Sequence, residues 1–245
     1  MKTKTFALKY TTAQQDGSVG VVIAAAGSAT RMGGVDKLFA PLNGVPVLAH
    51  TLLAFQNHPL VKCIAVVTKK ESVLPVQQLA ARFELTKVCD ILPGGQNRAE
   101  SVQIGFLQIQ KSGVQTVLIH DGARPLVSGE LISRVIAGVE EFSAAAAAVS
   151  VKDAIKQVTP LGKIVKDVER SSLCAMQTPQ GFTAESYAKA LQTVKAADFT
   201  DDCAFMEQAG YPVYTVPGDY KNIKITTPED LMIAEAFLKG NASCE

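Results

Sequence analysis

"VVIAAAGSATRMGGVDK", residues 21–37, runs from an apolar strand through alanines into a glycine-bearing turn and then presents Arg31 and Lys37. Apolar residues in succession, without in–out alternation, read as a strand covered on both faces. Exposed backbone N–H groups in a turn, with two cations close by, form a cradle for an anion, so the turn is read as a phosphate site. It is not the phosphate loop G-x-x-x-x-G-K-[ST], which occurs nowhere in the chain. Nor is it the dinucleotide fingerprint G-x-G-x-x-G, because Ala29 takes the place of a second glycine.

Outward from that stretch, apolar runs recur at 19–25, 63–68, 114–120, 145–151 and 212–216, with a weaker one at 87–92. Helical patterns lie between them at 45–56, 73–83, 98–110, 129–142, 184–194 and 228–238. Apolar strands alternating with amphipathic helices predict an α/β fold, a mostly parallel sheet with helices on both faces. Helix-start chemistry agrees. In "TTPEDL" (226–231) Thr227 caps, Pro228 takes the first helical position and acids fill the first turn; Ser128 of "SGEL" caps likewise. One segment breaks the pattern. "DAIKQVTPLGKIVKDVERSSL" (153–173) reads as strand, turn near 160–162 and strand, which predicts a projecting β-hairpin arm. Its unpaired edges call for a partner, and another copy of the chain is the obvious one.

Composition sets outer limits. The 245 residues are 47% apolar, enough for one sizeable core, and the net charge of +1 argues against a nucleic-acid or membrane surface. Five cysteines show no C-x-x-C pair or metal spacing and read as reduced thiols. No apolar stretch approaches the ~20 residues of a membrane span. The first residues lack the pattern of a signal peptide, so 1–18 is expected to be a loose extension and the location cytoplasmic. His50, His58 and His120 make no ligand spacing, and no G-x-S-x-G nucleophile elbow is present.

In open parallel sheets, ligands sit beyond the carboxyl ends of the strands. Three polar clusters fall at such ends: 27–37, "PGGQNRAES" (93–101) and "HDGARP" (120–125). Asp121 reads either as a turn-former or as a Mg²⁺ ligand, since Mg²⁺ takes one or two carboxylates plus phosphate oxygens. Arg124 reads equally as a phosphate ligand or as the partner of Asp121. The Gly94–Gly95 turn is either a loop with a helix cap or a backbone surface for a flat base, which Ser101 would hydrogen-bond.

In their order, "AAAGSATRMG…DK", "GGQNRAESV", "HDGARPLV", "TPQGF", "TDDCAF" and "NIKITTPEDL" resemble the 2-C-methyl-D-erythritol 4-phosphate cytidylyltransferases of the non-mevalonate isoprenoid pathway. The likeness spans about 19–238. It implies a Rossmann-like α/β domain at 19–240 followed by a tail at 241–245, with an arm at about 152–173 and a homodimer whose arms complete each other's sites. It also implies that Ala25, Ala26 and Gly27 line the CTP site, that Arg31 and Lys37 grip its phosphates, and that Gly95, Gln96 and Ser101 face cytosine and ribose. Asp121 would hold Mg²⁺ or another divalent cation, and Arg124 would support that loop. Arg170 on the arm, with Thr200, Lys224 and the arm position Ala154, would meet the alcohol phosphate. Ala154 stands where the family commonly has a threonine, Gln96 where an acid is frequent, and Ala29 where glycine is usual.

The expected reaction joins CTP and methylerythritol phosphate, with Arg31, Lys37 and Lys224 as catalytic cations. The incoming phosphate is already anionic near neutral pH, so positioning and electrostatics carry the rate rather than a general base. Two other readings stand beside it: a cytidylyltransferase for another polyol phosphate such as ribitol 5-phosphate, and a non-catalytic nucleotide-binding module. A nicotinamide-dependent reductase is disfavoured by the missing glycine pattern.

Overall fold

The computed structural model describes residues 18–27, 36–194 and 199–242. Residues 1–17 of the expected extension at 1–18, Arg31 and Ala29 with their loop, and residues 243–245 of the expected tail at 241–245 lie outside the described residues. In chain order, β1 (Val19–Ala25), β2 (Pro41–Leu42), β3 (Val45–Pro46), α1 (Val47–Gln56), β4 (Val61–Thr68) and α2 (Val73–Arg82) come first. They are followed by β5 (Val88–Pro93), α3 (Arg98–Gln110), β6 (Thr116–Asp121), α4 (Gly129–Phe142) and β7 (Ala144–Ser150). Then come β8 (Ile155–Val158), β9 (Ile164–Val168), β10 (Cys174–Thr183), α5 (Ala184–Thr193), α6 (Asp202–Gln208), β11 (Tyr214–Pro217) and α7 (Pro228–Ala242).

One seven-stranded sheet runs in the order β11-β7-β10-β6-β1-β4-β5. Only β10 is antiparallel to its neighbours, so the expected α/β fold with a mostly parallel sheet is the one observed. The missing alternation in β1 now has its cause. Val21 and Ile23 join one core with Leu48, Leu52 and Phe55 of α1 and Leu131, Val135 and Ile136 of α4. Val22, between them, joins a second core with Val102 and Phe106 of α3 and Tyr187 of α5. Both faces of the strand are dry, and each such side chain contributes roughly 1.5–3 kcal/mol by its burial.

Alanine favours helices, yet the run from Ala144 to Ala148 is a strand. Tertiary packing overrides propensity here. Its residues lie between β10 and β11 under α4, where a Cβ on Gly138 would come within 2.7 Å of the Ala145 Cβ. Only small side chains on both sides let helix and strand approach so closely.

Three features differ from the sequence reading. Helix α1 starts at Val47 rather than 45, because Val45 and Pro46 pair back with β2 across an Asn43–Gly44 turn at positive φ. The short helix α6 was not expected. Nor was β10, whose Gln177, Thr178, Pro179, Gln180 and Gly181 hide the apolar signature of a strand. Those polar side chains are buried but satisfied, and the register slips between Met176 and Gln180 where they lie. The hairpin expected at 153–173 forms: β8 and β9 pair in a sheet of their own, with Gly162 at φ +80° in the turn. Val158, Leu161, Ile164 and Val165 on this arm point their apolar surface outward. Among the described residues, no helix is long and apolar enough to cross a membrane.

Candidate active site

Strands β5, β4, β1 and β6 run parallel and therefore end at one rim of the sheet. There the segments leaving β1, β5 and β6 surround a cleft of about 350 Å³. Ala24 to Gly27 form one wall, Gly95 to Arg98 with Ser101 another, and Asp121 and Ala123 lie at the end of β6; Lys37 and Lys224 complete the lining. The glycine pair before α3 has a packing reason. A Cβ on Gly94 would fall 2.6 Å from the Ala26 Cβ and 2.8 Å from Ser101 Oγ, so only glycine lets this loop press against the end of β1. The Gly94 N–H donates to Thr68 O at 2.7 Å, pinning the loop to β4. Asn97 then caps α3 by accepting from the Glu100 N–H at 2.8 Å, while Glu100 accepts from the Gln96 N–H at 2.8 Å. Ser101 Oγ accepts from the Gly95 N–H at 3.1 Å and donates to Asn97 O at 2.8 Å. It therefore shapes the turn from within.

Asp121 is the electrostatic centre. Lys224 Nζ stands 3.1 Å and Arg124 Nε 3.2 Å from its Oδ2, and Arg98 Nε lies 4.0 Å from its Oδ1. Burial pushes the carboxyl up, but Lys224, Arg124 and Arg98 together hold it at about 2. It is ionised at any physiological pH.

Behind it, hydrogen-bond bookkeeping fixes every proton. The Asp121 N–H donates to Thr178 Oγ1 at 3.1 Å, that hydroxyl lies 3.0 Å from His120 Nδ1, and His120 Nε2 lies 3.2 Å from Arg124 O. A carbonyl only accepts, so Nε2 carries the hydrogen and Nδ1 accepts from Thr178. Burial lowers the His120 pKa to about 4, which keeps the ring neutral and the chain of bonds intact. Arg124 also donates to Asn222 O at 2.9 Å, joining this loop to the segment that carries Lys224.

Of the residues expected from sequence, Ala25, Ala26, Gly27, Lys37, Gly95, Gln96, Ser101, Asp121 and Lys224 converge on this cleft. For Arg124 the sequence left two readings, and the structure pairs it with Asp121. Arg170 does not reach the cleft of its own chain; its Nη1 donates to Lys152 O at 2.8 Å on the arm. Ala154 and Thr200 are exposed, at the start of the arm and just before α6. Sequence reasoning missed Arg98, which lines the cleft and binds Asp202 at 2.6 Å. Its place directly after a glycine turn and an N-cap was the available signal. Among the described residues no group of three or more His, Cys, Asp and Glu side chains could cage a metal. Among the described residues Asp121 supplies the carboxylate of the cleft lining, with Arg98 Nε 4.0 Å from its Oδ1. That donor set fits Mg²⁺, which commonly binds through one carboxylate and substrate phosphates rather than a protein cage.

A family model described as 2-C-methyl-D-erythritol 4-phosphate cytidylyltransferase matches residues 19–240. The chain belongs to this family. It is 43% identical over 221 residues to the 2-C-methyl-D-erythritol 4-phosphate cytidylyltransferase of Dehalococcoides mccartyi, covering 90% of this chain and 96% of that one. The cytidylyltransferase of Thermus thermophilus shares the fold with a TM-score of 0.74 at 28% identity, covering 92% of this chain and 100% of that one. The 4-diphosphocytidyl-2C-methyl-D-erythritol synthase of Anaerococcus prevotii matches with a TM-score of 0.78 at 27% identity, covering 91% and 99%. Cytidylyltransferases of this family are nucleotidyltransferases, which is the class of chemistry that the cleft must accommodate.

Proposed function

We propose that the chain transfers CMP from CTP to 2-C-methyl-D-erythritol 4-phosphate, releasing pyrophosphate and forming 4-diphosphocytidyl-2-C-methyl-D-erythritol. The observation that carries this reading is the convergence of Lys37, Lys224 and ionised Asp121 on one cleft walled by the backbone of β1 and the glycine turn. Such a site suits two anions that must meet.

An oxygen of the alcohol phosphate attacks the α-phosphorus of CTP, and the bond to the β-phosphate oxygen breaks as pyrophosphate departs. No proton need be removed first. The neutral, enclosed His120 is accordingly not a base but a brace. Lys37 and Arg31 hold the triphosphate, while Lys224 offsets charge as the nucleophile closes in. Ala25, Ala26 and Gly27 line the nucleotide, and Gly95, Gln96 and Ser101 shape the wall for cytosine and ribose. Asp121 would hold Mg²⁺, and the bound ion would neutralise phosphate oxygens. Arg124 keeps the Asp121 loop in place.

The alcohol phosphate falls to Arg170 and Thr200, with Ala154 nearby at the root of the arm. Arg170 is remote from the cleft of its own chain, so we assign it to the cleft of a second copy in a homodimer. The outward-facing Leu161, 97% exposed, and Ile164, 62% exposed, support an arm that packs on another protomer. The test is pyrophosphate release with Mg²⁺ across a panel of nucleoside triphosphates and polyol phosphates. Turnover confined to CTP with methylerythritol phosphate is expected. Preference for ribitol 5-phosphate would reassign the alcohol, and no release with any pair would overturn the reading.

A further inference from the structure

The cleft leaves one buried carboxylate without a task. Asp202 is 3% exposed, lies outside the cleft lining and is the first residue of α6. Its Oδ2 accepts from Arg98 Nη1 at 2.6 Å and its Oδ1 from the Tyr187 hydroxyl at 2.9 Å. Its own N–H donates to Gln180 Oε1 at 3.0 Å. A charge buried this deeply is costly to keep, and an apolar contact would join α3 to α6 as well. The network therefore points to a directional duty.

We propose that Asp202 is a positioning residue that orders both half-sites at once, the nucleotide cleft through Arg98 and the alcohol-phosphate loop through the start of α6. On the cleft side, Asp202 takes one Nη1 donor of the rigid guanidinium fork. The fork is thereby aimed with Nε toward Asp121, and its remaining donors are presented to an anionic ligand. On the other side, the Gln180 amide oxygen holds the N–H groups of Asp202 and Cys203, and its Nε2 donates to Asp201 at 2.9 Å. Thr200, the candidate alcohol-phosphate contact, is the residue just before this clamped turn. The side chain that aims Arg98 thus belongs to the same turn that sets the backbone of Thr200. This deepens the proposed function and rests on it.

The test compares wild type, Asp202→Asn, Arg98→Ala and the double variant in the full-length protein. Titration calorimetry gives the CTP affinity, and steady-state pyrophosphate release gives KM for each substrate. Asp202→Asn is expected to weaken CTP and raise the alcohol-phosphate KM about tenfold each, with Tm held within a few degrees. In the Arg98→Ala background it should no longer weaken CTP, yet still raise the alcohol-phosphate KM. A CTP effect that adds in full to that of Arg98→Ala, or no effect on the alcohol-phosphate KM, overturns the proposal. Should Asp202→Asn fail to fold, Tyr187→Phe removes one hydrogen bond and leaves the charge. It should raise both KM values several-fold, and unchanged values would refute the inference. A wild type that binds CTP but turns over no alcohol phosphate sinks the proposed function instead, while the calorimetric arm still decides the Arg98 link.

Discussion

Two ion pairs in this molecule have the same length and opposite surroundings. Arg98 of the cleft wall meets Asp202 at 2.6 Å, with side chains 28% and 3% exposed. Lys156 and Asp167 also meet at 2.6 Å, but on the arm, with side chains 39% and 76% exposed. Distance does not distinguish them; solvent does. At the cleft, water has been replaced by fixed partners, so a charge removed leaves its neighbours stranded. On the arm, water takes the place of whatever is removed. The charges beside the cleft are therefore partnered within the chain, whereas those on the arm lie open to water.

The largest effect that would sharpen this contrast is at Lys37. Replacing a preorganised cation that stabilises developing charge commonly costs ~2.7–4 kcal/mol of barrier, a loss of 10²–10³ in kcat. Lys37→Ala is expected to show that loss in steady-state pyrophosphate release while its thermal melt stays near wild type. Turnover within a few-fold of wild type would remove Lys37 from the chemistry.

Acid should expose the cleft next. The Asp121 carboxyl sits at about 2 in the fold, below its value of about 4 in an unfolded chain. Its contribution is thus fully present above pH 4 and is lost as pH falls from about 4 toward 2. By linkage that amounts to roughly 2 kcal/mol. Asp121→Asn should flatten this limb of the stability–pH curve measured by urea unfolding, leaving the neutral region without a matching slope. An acid limb as steep as that of wild type would mean that the three cations do not act on this carboxylate as their distances indicate.

The arm is tested by what it gives away. Arg170→Ala is expected to raise the alcohol-phosphate KM about tenfold and to leave the calorimetric CTP affinity alone. If Arg170 serves the neighbouring cleft, mixing inactive Lys37→Ala protein with Arg170→Ala protein should restore part of the activity, because one site of each mixed dimer is intact. Failure to complement, with mixed dimers demonstrated by mass spectrometry, would return Arg170 to its own chain.

The same contrast explains what the sequence made legible. β1, the parallel sheet and the rim clusters could be read because apolar runs and glycine turns are local signals. Asp121 and Lys37 followed from residue type beside a strand end. Arg98 and Asp202 did not, since they lie 104 residues apart and neither shows a local sign of the other. β10 stayed hidden because Gln177, Thr178 and Gln180 are polar residues kept inside to brace the site, which reverses the pattern by which strands are recognised. The arm that carries Arg170 was legible as a hairpin, whereas the assignment of Arg170 to the cleft of a second copy rests on the family resemblance, because a contact between two chains leaves no local signal in one.

The smallest effect is the sharpest check on the comparison itself. Lys156→Ala removes a 2.6 Å ion pair, and a length-based view would expect a loss equal to that at Arg98. The Asp167 carboxylate it leaves behind is solvated, and the hairpin retains its backbone pairing from Ile155 opposite Val168 to Val158 opposite Ile164. Melting temperature and kcat should therefore be indistinguishable from wild type, at low salt as at high. A drop of several degrees would show that the arm is not open to water in solution. Asp167 would then be buried against another protomer, and this ion pair would belong with the cleft rather than opposite it.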